Sequence, residues 1–352
     1  MARSIEQSVP AMTEIIKART QQIDSFLADA GWAGARRSLL AGDASFRRYE
    51  RIAKDDEKAV LMDAPPPQED VRPFINMTEH LLELGYSAPR IFAEDTEVGF
   101  LLLEDLGDST FTNALAAGAD EEQLYQSAVD VLVDLHGRHL AVSVPSGIEF
   151  YEDEKLLGEV SLLTDWYMAG ILGNEISDYT KNDFLGVWRK LIPEVSAGGE
   201  TLVLRDFHAD NLMWLADRDG IQKCGLLDYQ DAVVGSPAYD LMSLLEDARR
   251  DLQPGLAARM LDHYYAAFPE FDLEAFKTAY VILAAQRHCK VIGIFSRLAM
   301  RDGKYDYLAH IPRCWKMLER ACLAPELEAL KDWLNEHIPA DKRSSPTPNL
   351  RA

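Results

Sequence analysis

Asp206, Asn211 and Asp228 are the residues of this chain whose types and spacing best suit chemistry. The apolar run Leu202 to Leu204 delivers Asp206, and Asn211 follows five residues later. A second apolar segment ends at Asp228, and Asp217-Arg218-Asp219-Gly220 between the two reads as a tight turn. If residues 212–216 and 221–227 pair as a hairpin, Asn211 and Asp228 stand side by side at its open end. Asp206 then lies one short loop away. Two carboxylates and an amide on one spot suit phosphoryl transfer, in which one Asp takes the acceptor hydroxyl's proton. An Asn five residues on and an Asp after a strand bind metal. The transferred group carries spread negative charge, so a protein supplies mainly positioning and cations. On this reading Asp206 is the base, and Asn211 and Asp228 hold Mg2+.

The elements that must position these groups change character along the chain. Residues 13–30 have helical periodicity, with Thr13 to start and Gly31 to end the helix. Strands are expected up to Leu40, over Lys58 to Met62, over Pro89 to Ala93 and over Gly99 to Leu103, with a helix at 71–84. The small polar turn Gly42-Asp43-Ala44-Ser45-Phe46-Arg47-Arg48 lies between two strands and can lay backbone N–H groups over phosphates. Helices follow at 121–140, 155–172 and 178–191. After the hairpin they resume near 237–250, 254–267, 273–299, 312–323 and 325–337. The expected fold class is α+β: a bilobal, protein-kinase-like arrangement with a small β-rich N-terminal lobe and a larger helical C-terminal lobe holding the catalytic hairpin. The expected divisions are 1–104, 105–338 and a disordered tail at 339–352.

The pattern Asp206-x-His208-x-x-Asn211 resembles the aminoglycoside phosphotransferase and choline kinase superfamily, which shares the protein-kinase fold. Asp228-Tyr229-Gln230-Asp231-Ala232 resembles its metal-binding Asp motif, and Gly235-Ser236-Pro237-Ala238-Tyr239-Asp240-Leu241 the segment after it. The resemblance covers about residues 20–335. It implies ATP as phosphoryl donor, a bracing role for Asp240, and adenine contact at Glu104 to Leu106, mainly through main chain. Within the superfamily the chain is most similar to the bacterial anomeric amino-sugar kinases of cell-wall recycling. Gly42-Asp43-Ala44-Ser45, Leu61-Met62-Asp63-Ala64-Pro65-Pro66, Phe100 to Gly107, Ala285-Gln286-Arg287-His288 and Ile292-Gly293-Ile294-Phe295 carry that likeness. It implies phosphorylation of N-acetylmuramate and N-acetylglucosamine at the anomeric hydroxyl. The rival in the same class is an aminoglycoside, choline or other small-alcohol kinase.

One departure is plain. Kinases of this fold place a Lys in the third strand for the α- and β-phosphates, whereas Ala59-Val60-Leu61-Met62 ends in Met. Lys58 shares a strand face with Met62 by two-residue periodicity, and Arg47 and Arg48 lie in the phosphate loop. One of the three, preferably an Arg, is expected to replace the missing Lys. Met62 also motivates an alternative, an inactive nucleotide-binding pseudokinase. His208 has no metal-ligating neighbour at useful spacing and reads as a brace for the loop, while Asp231 either binds substrate or bonds the loop. Arg287, His288, Lys290, Arg297 and Arg301 form either a solvated basic face or an acceptor pocket, with Arg287 and Arg297 available to a sugar carboxylate. Of Trp166 and Tyr167, one is expected in the core, and Tyr167 is the candidate to stack on a sugar.

The bulk numbers set limits. The 352 residues carry 36 basic and 58 acidic side chains, a net charge of −22. That argues against a nucleic-acid or anionic-membrane partner, since both demand clustered Lys and Arg. Four cysteines without CxxC spacing suit a reducing cytoplasm and give no zinc signature. No apolar run reaches membrane-spanning length. The expectation is a cytoplasmic monomer whose partners are ATP and a small sugar.

Overall fold

A computed structural model describes residues 8–42 and 46–343. The chain divides into two compact units, Met1–Gly107 and Asp108–Ala352. Asp43, Ala44 and Ser45, expected in a phosphate loop, lie outside the described residues.

In the smaller unit, α1 (Ser8–Asp29) precedes β1 (Arg36–Gly42), β2 (Arg48–Lys54) and β3 (Glu57–Asp63). Then come α2 (Arg72–Glu83), β4 (Ile91–Asp95) and β5 (Phe100–Glu104). The strands make one antiparallel sheet in the order β1-β2-β3-β5-β4. Central β3 is apolar and buried from Ala59 to Met62, as a strand covered on both faces must be. Ile23 and Leu27 of α1 join Ile52, Ala59, Leu61, Phe100 and Leu102 in one apolar cluster that fixes the helix on the sheet. Apart from Ala59, each such side chain contributes about 1.5–3 kcal/mol when fully buried. Gly99 turns the chain between β4 and β5 at φ +80, where a Cβ would stand 2.0 Å from the Ala64 carbonyl oxygen. Only glycine fits there.

The larger unit contains α3 (Phe111–Ala116), α4 (Glu121–Gly137), α5 (Leu140–Ser143), α6 (Asp153–Leu162) and α7 (Asp178–Leu191). Four short strands follow: β6 (Thr201–Val203), β7 (Leu212–Trp214), β8 (Cys224–Leu226) and β9 (Val233–Gly235). The unit ends with α8 (Ala238–Leu245), α9 (Leu256–Ala266), α10 (Leu273–Asp302), α11 (Ile311–Ala321) and α12 (Glu328–His337). The expected hairpin is present as β7 and β8, with Leu212 opposite Leu226. A second pair, β6 with β9, was not foreseen.

α10 organises this unit. Asp272 caps its start by accepting the Ala275 N–H at 3.0 Å, and Gly303 ends it at φ +69. Its 30 residues span about 45 Å at about 1.5 Å each. At Gly293 it touches α6 so closely that a Cβ would stand 2.4 Å from the Leu162 carbonyl carbon. From Leu163 to Ile171 the helix after α6 widens to π geometry, with Leu172 N–H bonded to Tyr167 C=O. The continuous helix expected over 155–172 therefore changes pitch where α10 presses on it.

Residues 339–343, expected in the tail, are ordered. Residues 340–342 form a turn, and Arg343 donates to the Ile338 carbonyl at 2.7 Å, Glu319 at 2.8 Å and Asn335 at 2.9 Å. Its guanidinium lies 5.4 Å from the Trp315 ring centroid. Polar composition alone hid this, because an Arg can be held by carbonyls and an aromatic face at once. Residues 344–352 lie outside the described residues. No described helix is long and apolar enough to cross a membrane.

Candidate active site

The loop between β6 and β7 is held by buried Asp240 of α8. Its two carboxylate oxygens accept the Leu204 N–H at 2.6 Å and the Arg205 N–H at 2.8 Å. From the other side, Ser243 and Arg287 donate to the Arg205 carbonyl, each at 3.3 Å. This grip holds Arg205 at φ +68, a left-handed conformation that a non-glycine residue adopts at a cost. Asp228 is likewise left-handed at φ +59. The strain sits on the residue before Asp206 and on Asp228 itself.

The three residues singled out by spacing come together. The Asn211 amide donates to the Asp206 carbonyl at 3.0 Å and lies 3.3 Å from a carboxylate oxygen of Asp228. The Leu227 N–H bonds back to the Asn211 carbonyl at 3.0 Å, so the hairpin's open end fixes the pair. Gln230 donates to the other Asp228 oxygen at 2.9 Å. His208 lies beneath, buried. Its Nε2 faces the Asn211 amide at 3.4 Å and an Arg249 N–H at 3.5 Å. Both neighbours are donors, which places the ring proton on Nδ1. Burial, reinforced by Arg249, pushes the His208 pKa down to about 4, so the ring is neutral near pH 7. Asp210 accepts from Thr112 and pairs with Arg249 at 3.3 Å.

Asp206 points into a cationic surround. Arg287 stands 3.6 Å from it, and Arg287 is itself buried and bonded to the Tyr239 hydroxyl at 3.2 Å. Burial opposes ionisation of Asp206. Arg287, then Lys290, His208 and Arg205, outweigh it and hold the carboxyl at about 2. Behind this cluster lies Glu159 of α6. It accepts from Arg205 at 2.6 Å, Lys290 at 2.8 Å, Gln286 at 2.9 Å and the Tyr151 hydroxyl. Its carboxyl is held below the ordinary glutamate value: burial resists, but Lys290 and then Arg205 prevail.

The structure separates the other candidates. Arg287 joins the site, but as a buried neighbour of Asp206. Arg297 is ten residues further along α10, about 15 Å away, so the two do not make one acceptor pocket. The basic face of α10 is only partly solvated: Arg287, His288 and Lys290 are buried, whereas Arg297 is half-buried and Arg301 exposed. His288 pairs with Glu246 at 2.8 Å. Tyr167 cannot stack on a sugar: it is fully buried against Trp315, and its hydroxyl donates to the Lys342 carbonyl. Asp231 is exposed and takes a bond from Gln230 at 3.3 Å.

In the smaller unit, Gly42 ends β1 opposite Arg48, and Arg48 in turn faces Asp63 of β3. The residues flanking the polar turn therefore lie at the Asp63 end of the sheet. Lys58 pairs with Ala53 at the other end of β3, about 14 Å from Met62 at about 3.4 Å per residue. Sharing a face with Met62 does not bring Lys58 to the turn, and it cannot stand in for the missing lysine. Arg47 faces Glu69 at 3.3 Å, and Phe46 N–H bonds the same carboxylate at 3.0 Å. Arg48 is exposed, and its side chain has no partner among the described residues. Glu104 spends its carboxylate on the Arg90 N–H at 3.2 Å, and Asp105 is clamped by Arg51 at 2.6 and 3.0 Å. Leu106 lies half-buried between Asp105 and Gly107.

Sequence reasoning missed Arg205, Glu159 and Arg249; it offered Lys290 only as one of a basic cluster and Tyr239 only as part of a motif. One signal was present for Glu159: a long helix carrying Arg287 and Lys290 among apolar residues demands buried carboxylates somewhere.

A family model described as "Phosphotransferase enzyme family" matches residues 37–276. The N-acetylmuramate/N-acetylglucosamine kinase of Caulobacter vibrioides is 34% identical, over 91% of this chain and 96% of that protein. The protein of the same name from Pseudomonas aeruginosa is 36% identical, over 90% and 96%. Among solved structures, a choline kinase of Streptococcus pneumoniae superposes with a TM-score of 0.57 at 14% identity, covering 92% of this chain and 99% of that one. A GDP complex of aminoglycoside 2'-phosphotransferase-IIIa gives 0.57 at 14%, covering 86% and 98%. These two likenesses show the fold: α+β, with a β-sheet N-terminal unit and a larger helical C-terminal unit. Relatives above 30% identity that are matched over nearly their whole length, and a family model over most of the chain, place it plainly: the chain belongs to the phosphotransferase enzyme family.

Proposed function

We propose that this enzyme transfers the γ-phosphoryl group of ATP to the anomeric hydroxyl of an amino sugar, N-acetylmuramate or N-acetylglucosamine. The product is a sugar 1-phosphate, made in the recycling of peptidoglycan. The observation that carries the reading is the convergence of Asp206, Asn211 and Asp228 on one loop and hairpin. The names of the relatives supply the acceptor.

Asp206 orients the acceptor hydroxyl and takes its proton as the new P–O bond forms. Its low pKa keeps it ionised at every working pH, so it serves as an aligned acceptor more than as a strong base. Asn211 and Asp228 offer hard oxygen donors. The Asn211 nitrogen is committed to the Asp206 carbonyl, which turns its Oδ1 away from that bond and frees it as a ligand. One carboxylate and one amide oxygen, completed by substrate phosphates, suit Mg2+. When bound, that ion neutralises charge building on the phosphates. His208, neutral, steadies the Asn211 amide. In the smaller unit, Arg48 is proposed to contact the phosphates and the Leu106 main chain to contact adenine.

The test is Mg·ATP with N-acetylmuramate, N-acetylglucosamine, glucose, choline and kanamycin, read by phosphorus NMR. An anomeric phosphate on an amino sugar is expected. Phosphate on any other oxygen, or turnover of choline or kanamycin alone, defeats the assignment. Asp206→Asn should lower kcat by roughly 10²–10⁴-fold with little change in nucleotide affinity.

A further inference from the structure

A cavity of 620 Å³ opens in the larger unit beside the catalytic loop. Its lining is basic: Arg249, His310, Arg313, Lys316 and Arg320, with Asp251 the one carboxylate. Arg313, Lys316 and Arg320 recur at spacings of three and four along α11, which puts them on one face. Such a cluster is notable on a chain of net charge −22.

The cations are not equally engaged. Arg313 pairs with Asp251 at 2.7 Å, but that Asp is 82% exposed and the pair is a weak one. Arg320 reaches Glu246 at 3.2 Å, a carboxylate already held by His288. Lys316 is exposed, and its ammonium has no partner among the described residues. His310 packs on Phe295. Burial, then Arg249 and Arg313, lower its pKa, so a positive potential is felt inside the cavity.

Arg249 ties the cavity to the reacting centre. Its guanidinium meets His208 at 3.5 Å and Asp210 at 3.3 Å, the residues two and four positions after Asp206 on the same loop. A sugar whose anomeric hydroxyl meets Asp206 would present its other ring substituents to the surroundings of the same loop. N-acetylmuramate is N-acetylglucosamine with a lactyl ether, and the carboxylate of that ether is the only charge distinguishing the two.

Resting on the acceptor reading above, we infer that the Arg249–Arg313–Lys316 cavity is a carboxylate subsite, which receives the lactyl group of N-acetylmuramate and is left unused by N-acetylglucosamine. Guanidinium and ammonium groups are the donors a carboxylate needs. Arg287 cannot serve instead, being buried and committed to Asp206 and Tyr239.

The experiment measures kcat/KM for both sugars in wild type, Lys316→Ala and Arg313→Gln, with thermal melts to show that each variant is folded. The ratio of N-acetylmuramate to N-acetylglucosamine should fall at least tenfold in each variant, and further in Lys316→Glu. A ratio within twofold of wild type in all three folded variants overturns the subsite. So does an unchanged ratio accompanied by lost inhibition from added sugar 1-phosphate, which would make the cavity a product site. If wild type phosphorylates N-acetylglucosamine but not N-acetylmuramate, the subsite fails and the kinase reading stands. If wild type phosphorylates neither, the kinase reading itself fails.

Discussion

Glu159→Gln is the substitution that best tests how the site is held. Glu159 is 13% exposed and sits between two cations, Arg205 at 2.6 Å and Lys290 at 2.8 Å, with Gln286 and Tyr151 completing its bonds. At an effective dielectric of about 20, each ion pair is worth about 6 kcal/mol of Coulomb attraction before desolvation. Desolvation of three buried charges removes most of that, and the net worth of such a group is small. Removing one member is another matter, because two buried cations then lose their counter-charge. That typically costs about 3–5 kcal/mol. Gln keeps the shape and some of the bonds, so the lower end, about 3 kcal/mol, is expected. With an m-value of about 3 kcal/mol/M, the urea midpoint at pH 7 should drop by about 1 M. The pH dependence has a definite sign. The Glu159 pKa is lowered in the folded state. Its stabilisation is therefore present above the ordinary value of 4.5 and lost as pH falls through the folded value. The variant should be weaker at pH 7 and flatter in acid than wild type. Adding Lys290→Met removes one stranded cation and should recover part of the loss. A variant within 0.5 kcal/mol of wild type at pH 7 would refute the reasoning, as would a double variant worse than the sum of its parts.

Other outcomes follow from the same geometry. Arg287→Met removes the nearest cation from Asp206, at 3.6 Å. The pair is worth about 1–5 kcal/mol between bulk water and a dielectric of about 20. The Asp206 side chain is 40% exposed, so the smaller end applies and the pKa should rise by about one to two units. Carbon NMR of labelled aspartate carboxyls, assigned with Asp206→Asn, should show the onset of titration near pH 4 in the variant and none in wild type. Gly293→Ala forces a methyl onto the Leu162 backbone at 2.4 Å. It should cost about 3 kcal/mol in a urea titration and lower kcat with it, because α10 carries Arg287 and Lys290. Arg48→Ala should raise the KM for ATP about tenfold with kcat little changed, while Lys58→Ala should leave both within twofold.

The parts of the site that sequence reveals are the local ones. Asp206, Asn211 and Asp228 span 23 residues, and a turn between two apolar strands is enough to gather them. Asp240 was visible through the family resemblance, carried by the motif that follows the hairpin. What stayed hidden depends on distant partners. Lys290 and Arg287 look like surface residues by type, and only carboxylates far back in the chain, Glu159 and Asp206, allow them inside; Gln286 and Glu159 are 127 residues apart. Tyr167 was misjudged because an aromatic beside a catalytic loop and an aromatic in the core have the same sequence signature. Lys58 was misjudged differently. Two-residue periodicity gave its face correctly, but it says nothing of how far along the strand a side chain stands.

That distance bears on the missing lysine. In kinases of this fold the third-strand Lys is paired with a Glu on a helix. Here the charges are exchanged. Asp63, the residue after Met62, supplies the acid on β3, and Arg19 of α1 supplies the base, donating at 2.9 and 2.5 Å with its guanidinium 4.0 Å from the Phe100 ring centroid. This helix-to-strand ion pair ties α1 to the sheet, and its cation is already neutralised. Arg47 faces Glu69 in the same way. Of the three arginines near this end of the sheet, Arg48 alone keeps an exposed side chain with no partner among the described residues. The triphosphate needs an unspent positive charge, and β3 offers none at its Asp63 end. On the proposed reading Arg48 supplies it, and a Met at position 62 does not by itself make this chain a pseudokinase.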